Sequence, residues 1–262
     1  MSTHASQQQI KASSPNDQPL VAEISNLSKV YTQGNLKVLA LNDVSLQLKQ
    51  GEFLAIMGPS GSGKSTLLHC WATLDRPTQG LIKLAGYDIT RLSDYQLTIL
   101  RRYQIGFVFQ SFNLLPTLSA QANILLPLMV KAQKTLSKDQ KAWFDELVNH
   151  LALADRLNHL PHQLSGGQQQ RVAIARALMT RPQIIFADEP SGNLDTKTGA
   201  NVLDFLGQAN QKYNQAIVMV THSVKAASYA QRVIFLKDGA IFSQIIKPTT
   251  AQIARQLDVL EK

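Results

Sequence analysis

The chain has 262 residues, 44% of them hydrophobic, a formal net charge of +8 and one cysteine, Cys70. That apolar content supports a buried core and excludes a wholly disordered chain, the length suits one large domain or a domain with an insertion, and a lone cysteine excludes an intrachain disulfide framework and fits a reducing compartment. The positive charge would suit nucleic acid or an anionic membrane, but the basic residues are scattered and not interleaved with aromatics, which favours a bias spread over a solvated surface.

Residues 1–20 read as a flexible N-terminal tail without the layout of a secretory signal. Residues 21–30 alternate as a strand that ends at Tyr31. A turn at Gln33, Gly34 and Asn35 leads to a second strand over 38–48. Residues 53–57 are an apolar run with the composition of a buried strand. Gly58, Pro59, Ser60, Gly61, Ser62, Gly63, Lys64 and Ser65 then fit G-x-x-x-x-G-K-[ST], and residues 66–74 can run as a helix until Pro77 forbids continuation. Strand, glycine loop and helix together are the context of a phosphate site. The glycines let backbone N–H groups crowd onto a polyphosphate, Lys64 reaches the β/γ-phosphates, and the Ser65 hydroxyl is placed to ligate Mg²⁺. Cys70 lies on the apolar side of that helix and reads as a core residue.

Residues 80–85 read as a strand, Gly86, Tyr87 and Asp88 as a turn, and 92–103 as a helix with Ser93 as its N-cap. Residues 105–109 form a buried strand ending in Gln110, whose amide can coordinate a metal-bound water or simply end the strand. From about 111 to 160 strand signals vanish, and 120–131 and 137–153 carry helical spacing, so an all-helical insertion interrupts an α/β domain. The longest apolar run, 124–130, is broken by Pro127 and falls short of the ~20 residues that cross a bilayer. Ser165, Gly166, Gly167 and Gln168 make a second glycine turn before a helix over 172–180, with Ser165 as cap or phosphate ligand. Residues 184–187 are a buried strand ending at Asp188 and Glu189, placed to hold Mg²⁺ and to polarise water respectively. After a turn at 191–195 come a helix over 196–212 and a strand over 216–220 that stops at Thr221 and His222. A hairpin over 233–236 and 240–242 and a helical tail from Thr250 complete the chain.

In this order, from about residue 22 to 245, these motifs resemble the nucleotide-binding subunit of ATP-binding-cassette (ABC) transporters. Residues 58–66, including Thr66, match Walker A, and 184–188 match Walker B, followed by the catalytic base Glu189. Residues 164–168 look like the family signature and 191–195 like its D-loop. Gln110 stands where the Q-loop glutamine does, His222 where the switch histidine does, and Tyr31 where an aromatic stacks on adenine. Ser223 replaces a common aspartate and Ser191 a common threonine. The resemblance implies an α/β P-loop NTPase core with a mostly parallel sheet over 21–248, an N-terminal antiparallel β subdomain, a helical subdomain at about 111–178 and a helical tail at 249–262. It implies an ATPase using ATP and Mg²⁺, with Ser65, Gln110 and Asp188 on the metal and Glu189 and His222 catalytic. Tyr31, residues 58–66 and Ser165 to Gln168 bind nucleotide, the signature coming from the second copy of a head-to-tail homodimer. It further implies an integral membrane permease as partner, a peripheral place on the cytoplasmic membrane face and no nucleic acid. The finer similarity is to bacterial exporter ATPases for lipoprotein release, macrolide export and peptide resistance. The alternatives are a mechanotransmission ATPase of division or peptide-sensing type, and a nucleic-acid-acting ABC ATPase, whose usual second cassette, coiled-coil insertion or basic block this chain lacks.

Overall fold

A computed structural model describes residues 19–129 and 135–260, so most of the expected N-terminal tail lies outside the described residues. Strands β1 (Leu20–Gln33) and β2 (Leu36–Lys49) form a long antiparallel hairpin. Both outrun the expected strands because pairing continues to Gln33↔Leu36, while irregularities around left-handed Asn26 (φ 51°) and Asp43 (φ 52°) break the period-two pattern. After β3 (Phe53–Met57), strand β4 (Gln79–Leu84) pairs with β1, and the two-residue β5 (Tyr87–Asp88) pairs with β4. The expected turn at 86–88 is tighter: Ala85 and Gly86 take positive φ (52° and 83°) and free Tyr87 and Asp88 to pair.

The second sheet adds β6 (Ile105–Val108), β7 (Ile184–Asp188), β8 (Ala216–Val220), β9 (Arg232–Lys237) and β10 (Ala240–Ile246) in the order β10-β9-β3-β8-β7-β6. The pairs β9–β3, β3–β8, β8–β7 and β7–β6 are parallel, and only β10 runs antiparallel. Its central strands are apolar on both faces, as burial on both sides requires. Leu54, Ile56, Phe186 and Val218 face a core shared with the antiparallel sheet, whereas Phe53, Ala55, Ile185 and Met219 face a second core built with the helices.

The helices are α1 (Lys64–Trp71), α2 (Asp94–Gln104), α3 (Ala120–Met129), α4 (Lys138–His150), α5 (Gly166–Leu178), α6 (Thr196–Tyr213), α7 (Val224–Ala227) and α8 (Thr250–Leu260). Helix α1 stops well before Pro77: Thr73 turns left-handed (φ 61°), and the Leu74 and Asp75 amides donate to the His69 carbonyl. Ser93 and Ser137 both close capping boxes, at α2 and α4. Helix α5 begins six residues earlier than the expected 172, because Gly166 and Gly167 are its first turn rather than a turn ahead of it. The middle of α4 is tied to the end of α6, where Trp143 meets Tyr213 edge-on at 4.8 Å and Glu146 takes bonds from Tyr213 (3.1 Å) and Lys212 (2.7 Å). Helix α8 buries Ile253 and Leu260 in the helical core. Cys70 is buried, and burial pushes its thiol pKa up to about 12, so it is an inert core residue. No helix among the described residues is long and apolar enough to cross a membrane.

Candidate active site

The glycine loop joins β3 to α1, and its shape requires glycine at two points. A Cβ on Gly58 (φ 151°) would sit 2.1 Å from the Leu236 carbonyl oxygen, and one on Gly63 (φ 99°) 2.4 Å from that of Ala40. Lys64 Nζ donates across the loop to the Pro59 carbonyl at 2.7 Å. Burial lowers the Lys64 pKa, while the nearby Glu189 and Asp188 carboxylates pull it upward. Ser62 is buried beneath the loop, and its carbonyl accepts from Gly239 N (3.1 Å) at the β9–β10 turn. Helix α1 starts at Lys64, so the first amides of a helix and the glycine amides converge on one spot, which suits an anion.

The sheet order sets β3, β8 and β7 side by side, and their carboxyl ends carry Gly58, His222 and the pair Asp188–Glu189. Asp188 accepts a hydrogen bond from the Ser65 hydroxyl. Burial raises the Asp188 pKa; His69 opposes this, Glu189 adds to it, and Ser65 and Lys64 oppose it further. Ser65 and Asp188 are two hard oxygen donors in contact, the set that Mg²⁺ takes when phosphate and water complete its shell. Among the described residues no three His, Cys, Asp or Glu side chains gather as an all-protein metal site. Glu189 has a left-handed backbone (φ 48°), anchored by its amide to the Val220 carbonyl at 2.9 Å. That turn sends its side chain, 17% exposed, to within 2.8 Å of His222 Nδ1, whose ring is 72% exposed.

The expected residues do not all meet. Gln110 lies just beyond the end of β6, and its amide Nε2 donates to Asn193 Oδ1 (3.3 Å) while Asn193 Nδ2 donates to the Gln110 carbonyl (3.1 Å). The glutamine is thus paired with the 191–195 turn rather than with Ser65 and Asp188. Ser165 is the N-cap of α5: its hydroxyl accepts from Gln168 N and its amide donates to Gln168 Oε1, at 3.3 and 2.8 Å. Gly167 is needed for packing, since a Cβ there would lie 2.1 Å from Thr198 Cγ2 on α6. Tyr31 stands on β1, its hydroxyl bonded to Asp75 Oδ2 at 2.8 Å and to the Thr66 hydroxyl. Ser223 caps α7 by accepting from Ala226 N at 3.2 Å, so the change from aspartate keeps the cap.

Sequence reasoning missed four residues. His69, one helical turn beyond Ser65, places Nε2 3.7 Å from Asp188 Oδ2. Gln170, fully buried, donates from Nε2 to the Pro190 carbonyl at 2.7 Å, tying α5 to the acidic turn; a glutamine on the buried stripe of a helix was the available signal. Asn193 joins Gln110 as described, and only the fold brings the two together. Arg176 donates to the carbonyls of Phe112 (2.9 Å) and Asn113 (2.6 Å), consecutive left-handed residues (φ 61° and 47°) just past Gln110. No carboxylate pairs with that guanidinium among the described residues, and burial lowers its pKa.

The family model described as ABC transporter matches residues 41–192. An uncharacterized ABC transporter ATP-binding protein of Bacillus subtilis is 45% identical over 92% of this chain and 93% of its own length. The lipoprotein-releasing system ATP-binding protein of Geobacter metallireducens is 45% identical, covering 84% and 96% of the two chains. The bacitracin export ATP-binding protein of Halalkalibacterium halodurans is 42% identical, covering 87% and 89%. Among solved structures, an ATP-binding cassette of Methanocaldococcus jannaschii, a dimer in a post-hydrolysis state with ADP and Pi, superposes with TM-score 0.79 and 43% identity over 87% of this chain and 99% of that one.

Proposed function

Since the chain belongs to the ABC transporter family, as its ATP-binding ATPase, we propose that it energises a separate integral membrane permease from the cytoplasmic face of the membrane, in export of, or resistance to, peptides, lipoproteins or drugs. The contact of Glu189 with His222, beside Asp188 and next to the glycine loop, carries the hydrolytic part of this reading. The glycine amides and Lys64 hold the phosphates, and Tyr31 meets the adenine ring. Ser65 and Asp188, with Gln110 as a further ligand, would hold Mg²⁺, which would offset charge developing on the phosphates. Glu189 orients the attacking water and accepts its proton, and His222 positions Glu189 and the γ-phosphate.

Two copies close head-to-tail, each bringing Ser165, Gly166, Gly167 and Gln168 to the other's nucleotide. Two observations support this: the dimeric Methanocaldococcus cassette, and a signature turn whose Ser165 and Gln168 bond each other rather than their own glycine loop. The permease contact is the surface around 112–116. It borders a groove of about 470 Å³ lined by Phe107, Phe109, Arg102 and Arg176, near a second groove of about 670 Å³ with exposed Tyr87, Tyr95 and Ile99. Exposed apolar surface of this kind marks a contact site. The export reading draws on the names of the Geobacter and Halalkalibacterium relatives.

Glu189→Gln tests the proposal. Losing the base lowers turnover by about 10²–10⁴-fold and traps an ATP-bound dimer on size exclusion with ATP and Mg²⁺. A strictly monomeric profile overturns the sandwich. Co-purification identifies the membrane partner, and a purely soluble partner overturns the permease assignment.

A further inference from the structure

Tyr31 is not held by its own strand alone. Its hydroxyl donates to Asp75 Oδ2 at 2.8 Å, and Asp75 Oδ1 accepts from Lys29 Nζ and from the Arg76 amide, each at 2.7 Å. Lys29 Nζ also donates to the Arg76 carbonyl at 2.7 Å and stands 4.7 Å from the centroid of the Tyr31 ring. The Lys29 side chain is only 12% exposed and its ammonium lies over one face of the ring, while Tyr31 as a residue is 42% exposed. Burial opposes ionisation of Asp75, but the bonds from Lys29, Tyr31 and Arg76 outweigh it and hold the carboxyl below its ordinary range. Asp75 lies just past the end of α1, the helix that begins at Lys64 in the phosphate loop.

We propose that Asp75 is a positioning residue for the nucleobase: through the Tyr31 hydroxyl it fixes the ring's tilt and its spacing from the phosphate loop, while Lys29 closes the inner face so that a base stacks only on the outer one. The inference rests on the reading of Tyr31 as the adenine platform. A base stacked on Tyr31, itself 42% exposed, loses stacking when that platform tilts, whereas the phosphates, gripped by the loop itself, do not feel the change. The scale of one hydrogen bond sets the expected effect at about threefold to tenfold in ATP affinity.

The test compares wild type with Asp75→Ala, Asp75→Asn, Tyr31→Phe and the Tyr31→Phe/Asp75→Ala double variant. KM for ATP, kcat and calorimetric affinity for inorganic tripolyphosphate, which has no base, are measured. Asp75→Ala is expected to raise KM by about threefold to tenfold, with kcat within about twofold and tripolyphosphate affinity unchanged. Asp75→Asn, which keeps an acceptor for the hydroxyl, restores most of the loss. Tyr31→Phe raises KM similarly, and the double variant is no worse than either single one. An unchanged KM in Asp75→Ala, a parallel loss of tripolyphosphate affinity, or multiplying effects in the double variant overturns the proposal. Failure of the underlying reading looks different: Tyr31→Ala then leaves ATP affinity intact.

Discussion

Replacing Arg176 by methionine, which keeps most of its volume but removes the guanidinium, separates the stability of one loop from that of the whole fold. Arg176 makes two charge-assisted bonds, to the carbonyls of Phe112 and Asn113. Such bonds contribute about 1.5–3 kcal/mol each, so the loop loses about 3–6 kcal/mol of tethering. The two residues it restrains are left-handed without being glycine, at a cost of roughly 1–2 kcal/mol each, and they relax once released. Against this, the guanidinium is half-buried without a carboxylate, and its removal recovers part of its desolvation cost, which offsets much of the lost tethering. Global stability therefore changes little, while local opening of the loop gains about 3 kcal/mol or more, on the order of 100-fold in exchange rate. Hydrogen exchange of peptides covering 109–116, together with thermal melts, provides the assay. Expected are faster exchange in that segment alone and a near-native melting temperature, with Arg176→Lys in between because it lacks the planar fork. Unchanged exchange in the loop, or a global collapse with no local effect, refutes the reasoning.

Lys64→Ala should abolish ATP hydrolysis while leaving the fold intact, since the ammonium's hydrogen bond is to the Pro59 carbonyl of its own loop; residual turnover at the wild-type rate in a clean preparation would rule out the site. Asp188→Asn should raise the melting temperature of the nucleotide-free protein at pH 7. The folded Asp188 pKa lies above the unfolded value of about 3.9, so its ionised form weakens the fold at neutral pH and no longer does so once both states are protonated. The gain should therefore shrink as pH falls toward about 4, and an equal or lower melting temperature at pH 7 would contradict the sign. Leu115→Glu should uncouple ATPase activity from the permease while nucleotide binding is kept, and normal permease-stimulated hydrolysis would remove 112–116 from the interface. The exposed Leu115 serves here because its neighbour Leu114 packs on the helical core, where a charge would damage folding instead.

The strands of the parallel sheet were legible because each is a short run of apolar residues that both cores demand, and β8 coincides with its expected span. The hairpin strands were harder, because irregular pairing around Asn26 and Asp43 erases alternation over the middle of each strand. The helix start at Ser93 was readable from cap chemistry and the helix from Ser137 from its apolar spacing, whereas the start of α5 was misplaced because two glycines look like a turn until Thr198 is seen packed against Gly167. In the site, residues that follow one another along the chain, such as Lys64 and Ser65 or Asp188 and Glu189, were found from their motifs. Those that act across the fold, such as Gln170 against Pro190 and Asn193 against Gln110, carry ordinary polar side chains whose meaning comes from tertiary proximity.

The crowding at Gly58 and Gly63 reaches beyond the loop. The carbonyls that press on those glycines belong to Leu236, late in the chain, and Ala40, early in it, and the Gly239 amide bonds Ser62 between them. The phosphate cradle is therefore moulded by segments that meet only after β9 has docked beside β3, and local sequence alone cannot shape it. Contacts so far apart in sequence form late in folding. An isolated peptide spanning the loop would lack its mould, and a nascent chain would gain its grip on ATP only once β9 and the turn after it had been made and docked. Nucleotide affinity is in this sense a gauge of completed folding, and ATP in turn favours the finished fold by mass action.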